Sequence, residues 1–379
     1  MLSAGEASGD MHAAHALNEL RALGFAFTSF GMGADKLKDA GMELILDCRE
    51  LAVIGIVDVL INYPRFMRRL ATLRQAMRDR KPDLLIIVDY PDFNLKLAET
   101  AKELGIPVLF YISPQIWAWR SKRIHRIGSL VSHMAVLFPF EVDVYEKENI
   151  PVTYVGHPLV DDAVSEFDQT QARKHLQLPT NNSLVALLPG SRDGELKRNL
   201  PAMLEAAAVL RQKFTDIQFA LPVAPTLDTS AVKALLDQAA VDVHVIDAQS
   251  YHVMRAADAV LSASGTATLE TAMIGTPMAV MYVVNSINFA IMKRLIQIDN
   301  IGLVNIVAGK QICKEFVQNQ CVPEAMANEL EKCLFDTDYR HNMLNELMAV
   351  QTKMGSGGAS ARVAQLIHSL LSNEQSHVR

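Results

Sequence analysis

Short apolar runs rich in β-branched residues alternate along the chain with longer segments of helical period. The clearest runs are 84–88, 108–112, 135–138, 184–188, 217–221, 243–246 and 259–261. Such alternation is typical of βαβ units, in which parallel strands are covered by helices on both faces. Gly24 and Gly105 follow helical segments and supply the positive φ that commonly ends a helix. The pattern predicts an α/β protein.

The apolar runs form two series, which are separated by a polar, turn-rich stretch within residues 157–182. A length of 379 residues also fits two domains. We predict two doubly wound, Rossmann-like domains that face a cleft, one over residues 1–157 and one over 158–354. A carboxyl-terminal helix at about 355–372 is expected to pack back on the first domain. Ligands of open α/β sheets bind at the carboxyl ends of the strands, so the loops there are the places to search.

Composition narrows the class of protein. Half of the residues are apolar and the formal net charge is −6, which excludes disorder and a surface that is basic throughout, as in many nucleic-acid-binding proteins. The four cysteines are too widely spaced for a redox pair or a common zinc site, so we expect reduced thiols in the cytosol. No uncharged apolar run approaches the roughly 18–20 residues of a membrane span. We predict no metal and no cofactor.

Two loops of the first domain carry acidic residues. Asp89 follows the run 84–88, where a carboxylate can act as a general base toward a substrate hydroxyl. The alternative is that Asp89 or Asp92 caps a helix that begins near Asn94, a role that suits Asp92 better. In the loop 5–10, we predict that Asp10 caps a helix running to about residue 23. Glu6 has no comparable structural role and is a candidate for the site.

Two loops of the second domain suit a nucleotide. Ser191 and Arg192 follow an apolar strand and precede a helix, so backbone N–H groups and a guanidinium could converge on a diphosphate. Small residues at 264–266, namely Ser264, Gly265 and Thr266, repeat this arrangement, and Glu270 could accept from ribose hydroxyls. The alternatives are that the loop with Ser191 and Arg192 is an ordinary turn and that Glu270 is a capping residue of its helix. Two such loops in one domain favour the nucleotide interpretation.

Basic and aromatic residues cluster in the first domain. Both tryptophans stand in the loop 113–123, and residues 61–82 contain seven cations against one aspartate. A basic amphipathic helix is typical of proteins that bind anionic membrane surfaces, although a solvated helix on the sheet has the same pattern. The residues predicted to face the acceptor or the membrane are Ser8, Asp10, Arg65, Arg68, Arg69, Trp117, Trp119 and Arg120.

Five motifs together resemble the lipid-A-disaccharide synthase family, in order along nearly the whole chain. They are Ala4-Gly-Glu-Ala-Ser-Gly-Asp10, Val88-Asp-Tyr-Pro-Asp-Phe-Asn94, Ser113-Pro-Gln-Ile-Trp-Ala-Trp-Arg120, Leu188-Pro-Gly-Ser-Arg192 and Ser264-Gly-Thr-Ala-Thr-Leu-Glu270. The resemblance implies a B-type glycosyltransferase fold. It also implies an inverting reaction that joins UDP-2,3-diacylglucosamine to 2,3-diacylglucosamine 1-phosphate and releases UDP, on the cytoplasmic face of the inner membrane.

The same resemblance implies roles for matching residues. Asp89 matches the proposed base, and Glu6 matches an acidic residue that faces the cleft. Arg192, Glu270 and Asn305 match residues on the UDP-binding side. The implied partners are the UDP-sugar donor, the acylated sugar phosphate acceptor and an anionic membrane surface, without nucleic acid; a homodimer is left open.

One departure from the family pattern concerns the first strand. The family has an apolar strand before the loop 5–10, whereas only Met1, Leu2 and Ser3 precede the loop here. We therefore expect a missing or truncated strand, with the loop poorly anchored and the neighbouring strand edges unpaired. On this interpretation, either translation starts upstream of Met1 or the protein is compromised.

Two other functions remain open from the sequence. One is a UDP-sugar epimerase or hydrolase of the same architecture, which would need no lipid acceptor and no membrane surface. The other is a non-enzymatic protein that binds anionic lipid or nucleic acid through residues 61–81. The second alternative gives no role to Asp89, Glu6 and the two nucleotide loops.

Overall fold

The computed structural model describes residues 1–51, 56–114, 116, 123–163, 165–284 and 299–377. The chain divides into two compact units, of which the first combines Met1–Asp161 with Ser356–Arg379 and the second spans Asp162–Gly355. Each unit is built on one sheet whose paired strands all run parallel. The predicted class, α/β with two doubly wound parallel sheets, is confirmed.

The first unit contains a seven-stranded sheet in the order β3-β2-β1-β4-β5-β6-β7. Its strands are β1 (Leu2–Ala4), β2 (Phe30–Gly33), β3 (Glu43–Asp47), β4 (Leu85–Val88), β5 (Val108–Tyr111), β6 (His133–Val136) and β7 (Val152–Tyr154). Its helices are α1 (Ala7–Ala22), α2 (Asp35–Asp39), α3 (Ile56–Arg80), α4 (Pro91–Glu103), α5 (Arg123–Leu130), α6 (Pro139–Glu146), α7 (Leu159–Asp162) and, numbered in chain order, α16 (Ala359–His377), with a 3₁₀ turn at Cys48–Leu51.

The second unit contains a six-stranded sheet in the order β10-β9-β8-β11-β12-β13. Its strands are β8 (Leu184–Leu188), β9 (Gln218–Val223), β10 (His244–Asp247), β11 (Ala259–Ala263), β12 (Met278–Tyr282) and β13 (Glu315–Val317). Its helices are α8 (Gln169–His175), α9 (Asp193–Lys213), α10 (Thr229–Leu236), α11 (Ser250–Ala256), α12 (Thr266–Ile274), α13 (Leu303–Ala308), α14 (Pro323–Phe335) and α15 (Thr337–Met354), with a 3₁₀ turn at Gln318–Gln320.

The first strand is short but fully integrated into its sheet. Leu2 pairs with Gly31 of β2 on one side and with Ile86 of β4 on the other. The expectation that the edges of these neighbours would be unpaired is therefore wrong. Three residues suffice because each is buried and the strand is central, so both of its backbone edges find partners.

The loop after β1 is anchored by Asp10, although differently from the prediction. The residue at the amino-terminal cap of α1 is Glu6, so the expectation that Asp10 caps this helix is wrong. The Asp10 carboxylate is buried and accepts from the backbone amides of Ala34, Lys36 and Leu37, at 2.6, 3.0 and 3.3 Å. It thus caps α2 and ties the loop after β1 to the end of β2.

The carboxyl-terminal helix α16 packs on α1 within the first unit. Phe25, which follows α1, meets the His368 ring edge-on with 4.9 Å between centroids. Arg362 donates to the Val155 carbonyl oxygen at 2.7 Å, and both carboxylate oxygens of Asp161 accept from the Gly358 amide. These contacts hold the segment after β7 against the start of α16.

Candidate functional site

Asp89 stands at the carboxyl end of β4, at the start of a strained turn. Asp89 and Tyr90 both have left-handed backbones, with φ of 48° and 46°. Consecutive non-glycine residues in this region cost free energy, and such strain clusters at functional sites. Helix α4 begins at Pro91, and its cap residue, Tyr90, makes no side-chain capping bond. The alternative in which Asp89 or Asp92 caps this helix is therefore wrong.

A buried amide side chain holds this turn in place. Asn94 donates through Nδ2 to the carbonyl oxygens of Ser3, Val88 and Asp89, at 3.2, 3.2 and 2.8 Å. Its Oδ1 accepts from the Ser3 hydroxyl at 2.6 Å. The side chain is fully buried, so water cannot replace these bonds. Asn94 thus joins the ends of β1 and β4 and fixes the backbone that carries Asp89.

The environment of Asp89 suits a general base. Burial raises the pKa of its carboxyl group, the charge of Glu6 raises it further, and the hydrogen bond from the Tyr90 amide lowers it in part. A base works best when its pKa lies near the working pH, so an upward shift from the ordinary value near 3.8 favours proton abstraction. The structure therefore brings Glu6 and Asp89, predicted separately, into one electrostatic cluster.

The loop that carries Glu6 approaches the Asp89 turn closely. A Cβ built on Gly5 would lie 2.4 Å from Cγ of Tyr90, so only glycine allows this approach. The Glu6 side chain is exposed and makes no capping bond with its helix, and Ser8 is exposed as well. Asp10, in contrast, is 2% exposed and has both carboxylate oxygens bound to backbone amides. Asp10 therefore supports the loop rather than facing a ligand.

The basic segment of the first unit lies mainly on α3. Arg65 and Arg68 are exposed, and Arg69 is partly exposed. Further along the helix, Arg74 donates to the Lys96 carbonyl oxygen at 2.5 Å. Arg80 lies against the Phe30 ring and pairs with a glutamate of β3. The candidates Trp117, Trp119 and Arg120 lie outside the described residues.

The first candidate loop of the second unit joins β8 to α9. Ser191 and Arg192 are exposed, and Arg192 is the cap residue of the helix. Thr226 donates through its hydroxyl to the Ser191 carbonyl oxygen at 2.6 Å, and Asn199 donates to that of Pro189 at 2.8 Å. The loop is thus held from both sides while Ser191 and Arg192 remain exposed at the start of the helix, an arrangement that suits an anion.

The second candidate loop joins β11 to α12. Ser264 donates through its hydroxyl to the Ile301 carbonyl oxygen at 2.9 Å, whereas Gly265 and Thr266 are exposed at the start of the helix. Glu270, one turn further, is half-buried and hydrogen-bonded to Tyr251. Burial raises the pKa of Glu270, the bond from Tyr251 lowers it, and the charge of Asp162 raises it. A fixed carboxylate of this kind can accept from hydroxyl groups.

Asn305 has a different place from the one that the resemblance implied. Its side chain is fully buried; Nδ2 donates to the Cys313 carbonyl oxygen and to Glu315 Oε1, each at 2.7 Å. Its Oδ1 accepts from the amides of Ile312 and Cys313, at 2.8 and 2.9 Å. These bonds use its hydrogen-bonding capacity. Direct contact between Asn305 and a donor is therefore not supported, and the assignment of Asn305 as a UDP-contacting residue is corrected to a structural role.

Sequence reasoning missed the residue that completes this network. The Glu315 carboxylate, on edge strand β13, accepts from the amides of Ile301 and Gly302 at 2.9 Å each, in addition to Asn305. It is 6% exposed and caps the start of α13 from a distant strand. Because Ser264 contacts the carbonyl oxygen of Ile301, Glu315 indirectly holds the second candidate loop. No local signal in the sequence marks such a long-range cap.

Other features of the described chain add nothing to the Asp89 turn or to the two candidate loops of the second unit. A cavity of about 720 Å³ lies at the amino edge of the first sheet, lined by residues that include Leu2, Phe30 and Ile86. Asp89 stands at the carboxyl edge, so the cavity and the candidate base are at opposite ends of the strands.

Within the described ranges, three or more side chains suited to a metal do not converge anywhere. Over the same ranges, every helix is too short or too polar to cross a bilayer.

Solved structures with little sequence similarity to this chain share its fold. UDP-GlcNAc 2-epimerase from Neisseria meningitidis, solved with UDP-GlcNAc bound, superposes with a TM-score of 0.61 at 14% identity, covering 98% of this chain and 99% of that one. A glycosyltransferase of kitacinnamycin superposes with a TM-score of 0.62 at 16% identity, covering 98% of each chain. At these identities the likeness establishes the B-type glycosyltransferase fold alone.

Sequence comparison gives the family. A family model described as lipid-A-disaccharide synthetase matches residues 1–365. The lipid-A-disaccharide synthase of Geobacter sulfurreducens is 42% identical over 374 residues, covering 99% of this chain and 97% of the relative. That of Nitrosococcus oceani is 41% identical over 371 residues, covering 98% and 96%. The chain belongs to the lipid-A-disaccharide synthase family, and it is a glycosyltransferase.

Proposed function

We propose that this protein joins UDP-2,3-diacylglucosamine to 2,3-diacylglucosamine 1-phosphate, with inversion at the anomeric carbon and release of UDP. The product is the β(1→6)-linked lipid A disaccharide. Membership of the family supports disaccharide formation. The described geometry supports the assignment of roles to individual residues in each unit.

The observation that carries the proposal is the position of Asp89 together with its raised pKa. Asp89 directly follows the buried strand β4 and is not the cap residue of α4. Burial raises the pKa of its carboxyl group, and the charge of Glu6 raises it further. Asp89 is the base that takes the proton from the acceptor 6-hydroxyl as that oxygen attacks the sugar. Asn94 fixes the turn through four hydrogen bonds.

The second unit holds the donor. Arg192, the Ser191 amide and the start of α9 bind the diphosphate and stabilise the negative charge that develops on the departing UDP. Gly265 and Thr266 are exposed at a second helix start, and Glu270 accepts from the ribose hydroxyls. A sugar attached through an α-linked diphosphate and attacked from the opposite face inverts in a single step.

The first domain predicted from the sequence, residues 1–157, holds the lipid acceptor and faces the membrane; the second, residues 158–354, holds the donor. Exposed arginines of α3 are suited to anionic headgroups, each contributing about 1 kcal/mol near an anionic surface. We accordingly place the protein on the inner membrane as a peripheral protein. The loop with Trp117, Trp119 and Arg120 is proposed as part of the same surface on the sequence alone.

A product assay tests this function. The protein is mixed with both acylated substrates, and the lipids are analysed by mass spectrometry and by NMR of the anomeric proton. A β-linked disaccharide with one equivalent of UDP is expected. Epimerised or hydrolysed UDP-sugar without a disaccharide would replace the proposal with an epimerase or a hydrolase, and unchanged substrates would leave a non-enzymatic lipid-binding protein.

A further inference from the structure

A carboxylate already occupies the anion-binding loop of the second unit. Glu195, on the first turn of α9, accepts from the Ser191 amide at 3.1 Å through Oε2. Its Oε1 pairs with Nη1 of Arg192 at 3.3 Å. A Cβ built on Gly190 would lie 2.4 Å from the Glu195 carboxylate, so the space that this glycine leaves is filled by the acid.

The partners of this carboxylate are the groups assigned above to the diphosphate. One amide proton cannot serve a glutamate oxygen and a phosphate oxygen at full strength at the same time. A carboxylate and a diphosphate also repel each other where both are close to one guanidinium. The Glu195 side chain is 33% exposed, so it is free to rotate toward solvent without opening the core.

We propose that Glu195 is an affinity-setting residue of the donor site, which takes the position of the diphosphate when the site is empty and must be displaced when a nucleotide binds. The proposal rests on the proposed function, since it places the diphosphate at Ser191 and Arg192. After the reaction, the return of Glu195 to its partners lowers the affinity for UDP and helps the product to leave.

A purely structural role for Glu195 makes the opposite prediction. Glutamate near the start of a helix commonly accepts from backbone amides and stabilises the first turn. If that were its only role, its loss would loosen the loop and weaken UDP binding. Glu195→Gln separates the two roles, because glutamine keeps an oxygen that can accept from the Ser191 amide but loses the negative charge.

Titration calorimetry with UDP provides the test, using the full chain. Glu195→Gln should bind UDP about two- to fivefold more tightly than the wild type, the factor expected from an exposed ion pair that no longer has to be broken. Arg192→Ala should bind more weakly, by about tenfold or more. Glu205→Gln is the matched control, because Glu205 is an exposed acid on the same helix; its affinity should equal that of the wild type.

The remaining outcomes are distinguishable. Unchanged or weaker UDP binding in Glu195→Gln, with Arg192→Ala impaired, overturns the role of Glu195 while leaving the donor site in place. If Glu205→Gln gains as much UDP affinity as Glu195→Gln, the gain comes from the overall charge of the protein, and the role of Glu195 is also overturned. If Arg192→Ala binds UDP as well as the wild type, the diphosphate lies elsewhere, and both the donor assignment and this inference fail.

Discussion

Acidification should destabilise the first unit through His157. This residue follows β7, its Nδ1 accepts from the Leu159 amide at 3.1 Å, and its ring lies 5.2 Å from that of Phe138. Burial, together with the nearby His12, lowers the pKa of His157 from 6.5 to about 4. Protonation would also remove the acceptor that the Leu159 amide uses, so the folded chain favours neutral imidazole.

The sign and size of the effect follow from linkage. Because the pKa is lower in the folded state, the stabilisation is complete above pH 6.5 and is lost as the pH falls from 6.5 toward 4. At pH 7 almost nothing is lost. At pH 5 the unfolded chain has mostly taken up the proton while the folded chain has not, which costs about 2 kcal/mol. That is a large part of a typical total stability of about 5–15 kcal/mol.

Urea unfolding at pH 7 and pH 5 measures this loss. Circular dichroism follows the unfolding, and comparison with a variant at position 157 isolates the contribution of His157. The wild type should lose about 2 kcal/mol more between the two pH values than His157→Gln, whose amide oxygen can still accept from Leu159. His15→Gln, an exposed control, should follow the wild type. Equal losses in the wild type and His157→Gln would refute the reasoning.

Three further predictions concern the second candidate loop of the second unit, the turn that carries Asp89 and the exposed arginines of α3. Glu270→Ala should weaken UDP binding without changing attachment to vesicles, and calorimetry that finds an unaltered affinity would remove Glu270 from the donor site. Asn94→Ala breaks four buried hydrogen bonds, so it should lower the free energy of unfolding by about 2–5 kcal/mol in urea titrations; a loss below 1 kcal/mol would contradict the network. Reversing Arg65, Arg68 and Arg69 to glutamate should abolish sedimentation with anionic vesicles, as high salt should, and unchanged sedimentation would place the membrane surface elsewhere.

The central strands were predictable from their uninterrupted apolar runs. Runs 84–88, 184–188 and 259–261 became β4, β8 and β11, because central parallel strands are buried on both faces. Strand β2 was missed because Phe30-Gly31-Met32-Gly33 contains two glycines, which ordinarily mark a turn. Here Gly31 is required by packing: a Cβ on it would lie 1.9 Å from the carbonyl oxygen of Leu2 on the neighbouring strand.

The hydrogen-bond partners of buried polar side chains were not predictable from the sequence. Asp10 has the sequence context of a cap for its own helix, yet its carboxylate finds amides 24 to 27 residues away. The family resemblance implied that Asn305 lies on the UDP-binding side, yet its side chain is bound to Cys313 and Glu315 in the interior. Such partners depend on the tertiary packing of distant segments, which no local pattern contains. The position of Asp89 at the end of β4 was predictable because the strand and the turn are contiguous in sequence.

The turnover of Asp89→Asn tests the central claim most directly. Asparagine tolerates a left-handed backbone and nearly matches aspartate in size, so the turn at residue 89 should be retained. Asp92→Asn is the matched control, since Asp92 is exposed and pairs with Arg123. With saturating substrates, Asp89→Asn should lose about 10²–10⁴ in rate at unchanged UDP affinity, while Asp92→Asn stays near the wild-type rate. A rate for Asp89→Asn close to that of the wild type would contradict Asp89 as the base.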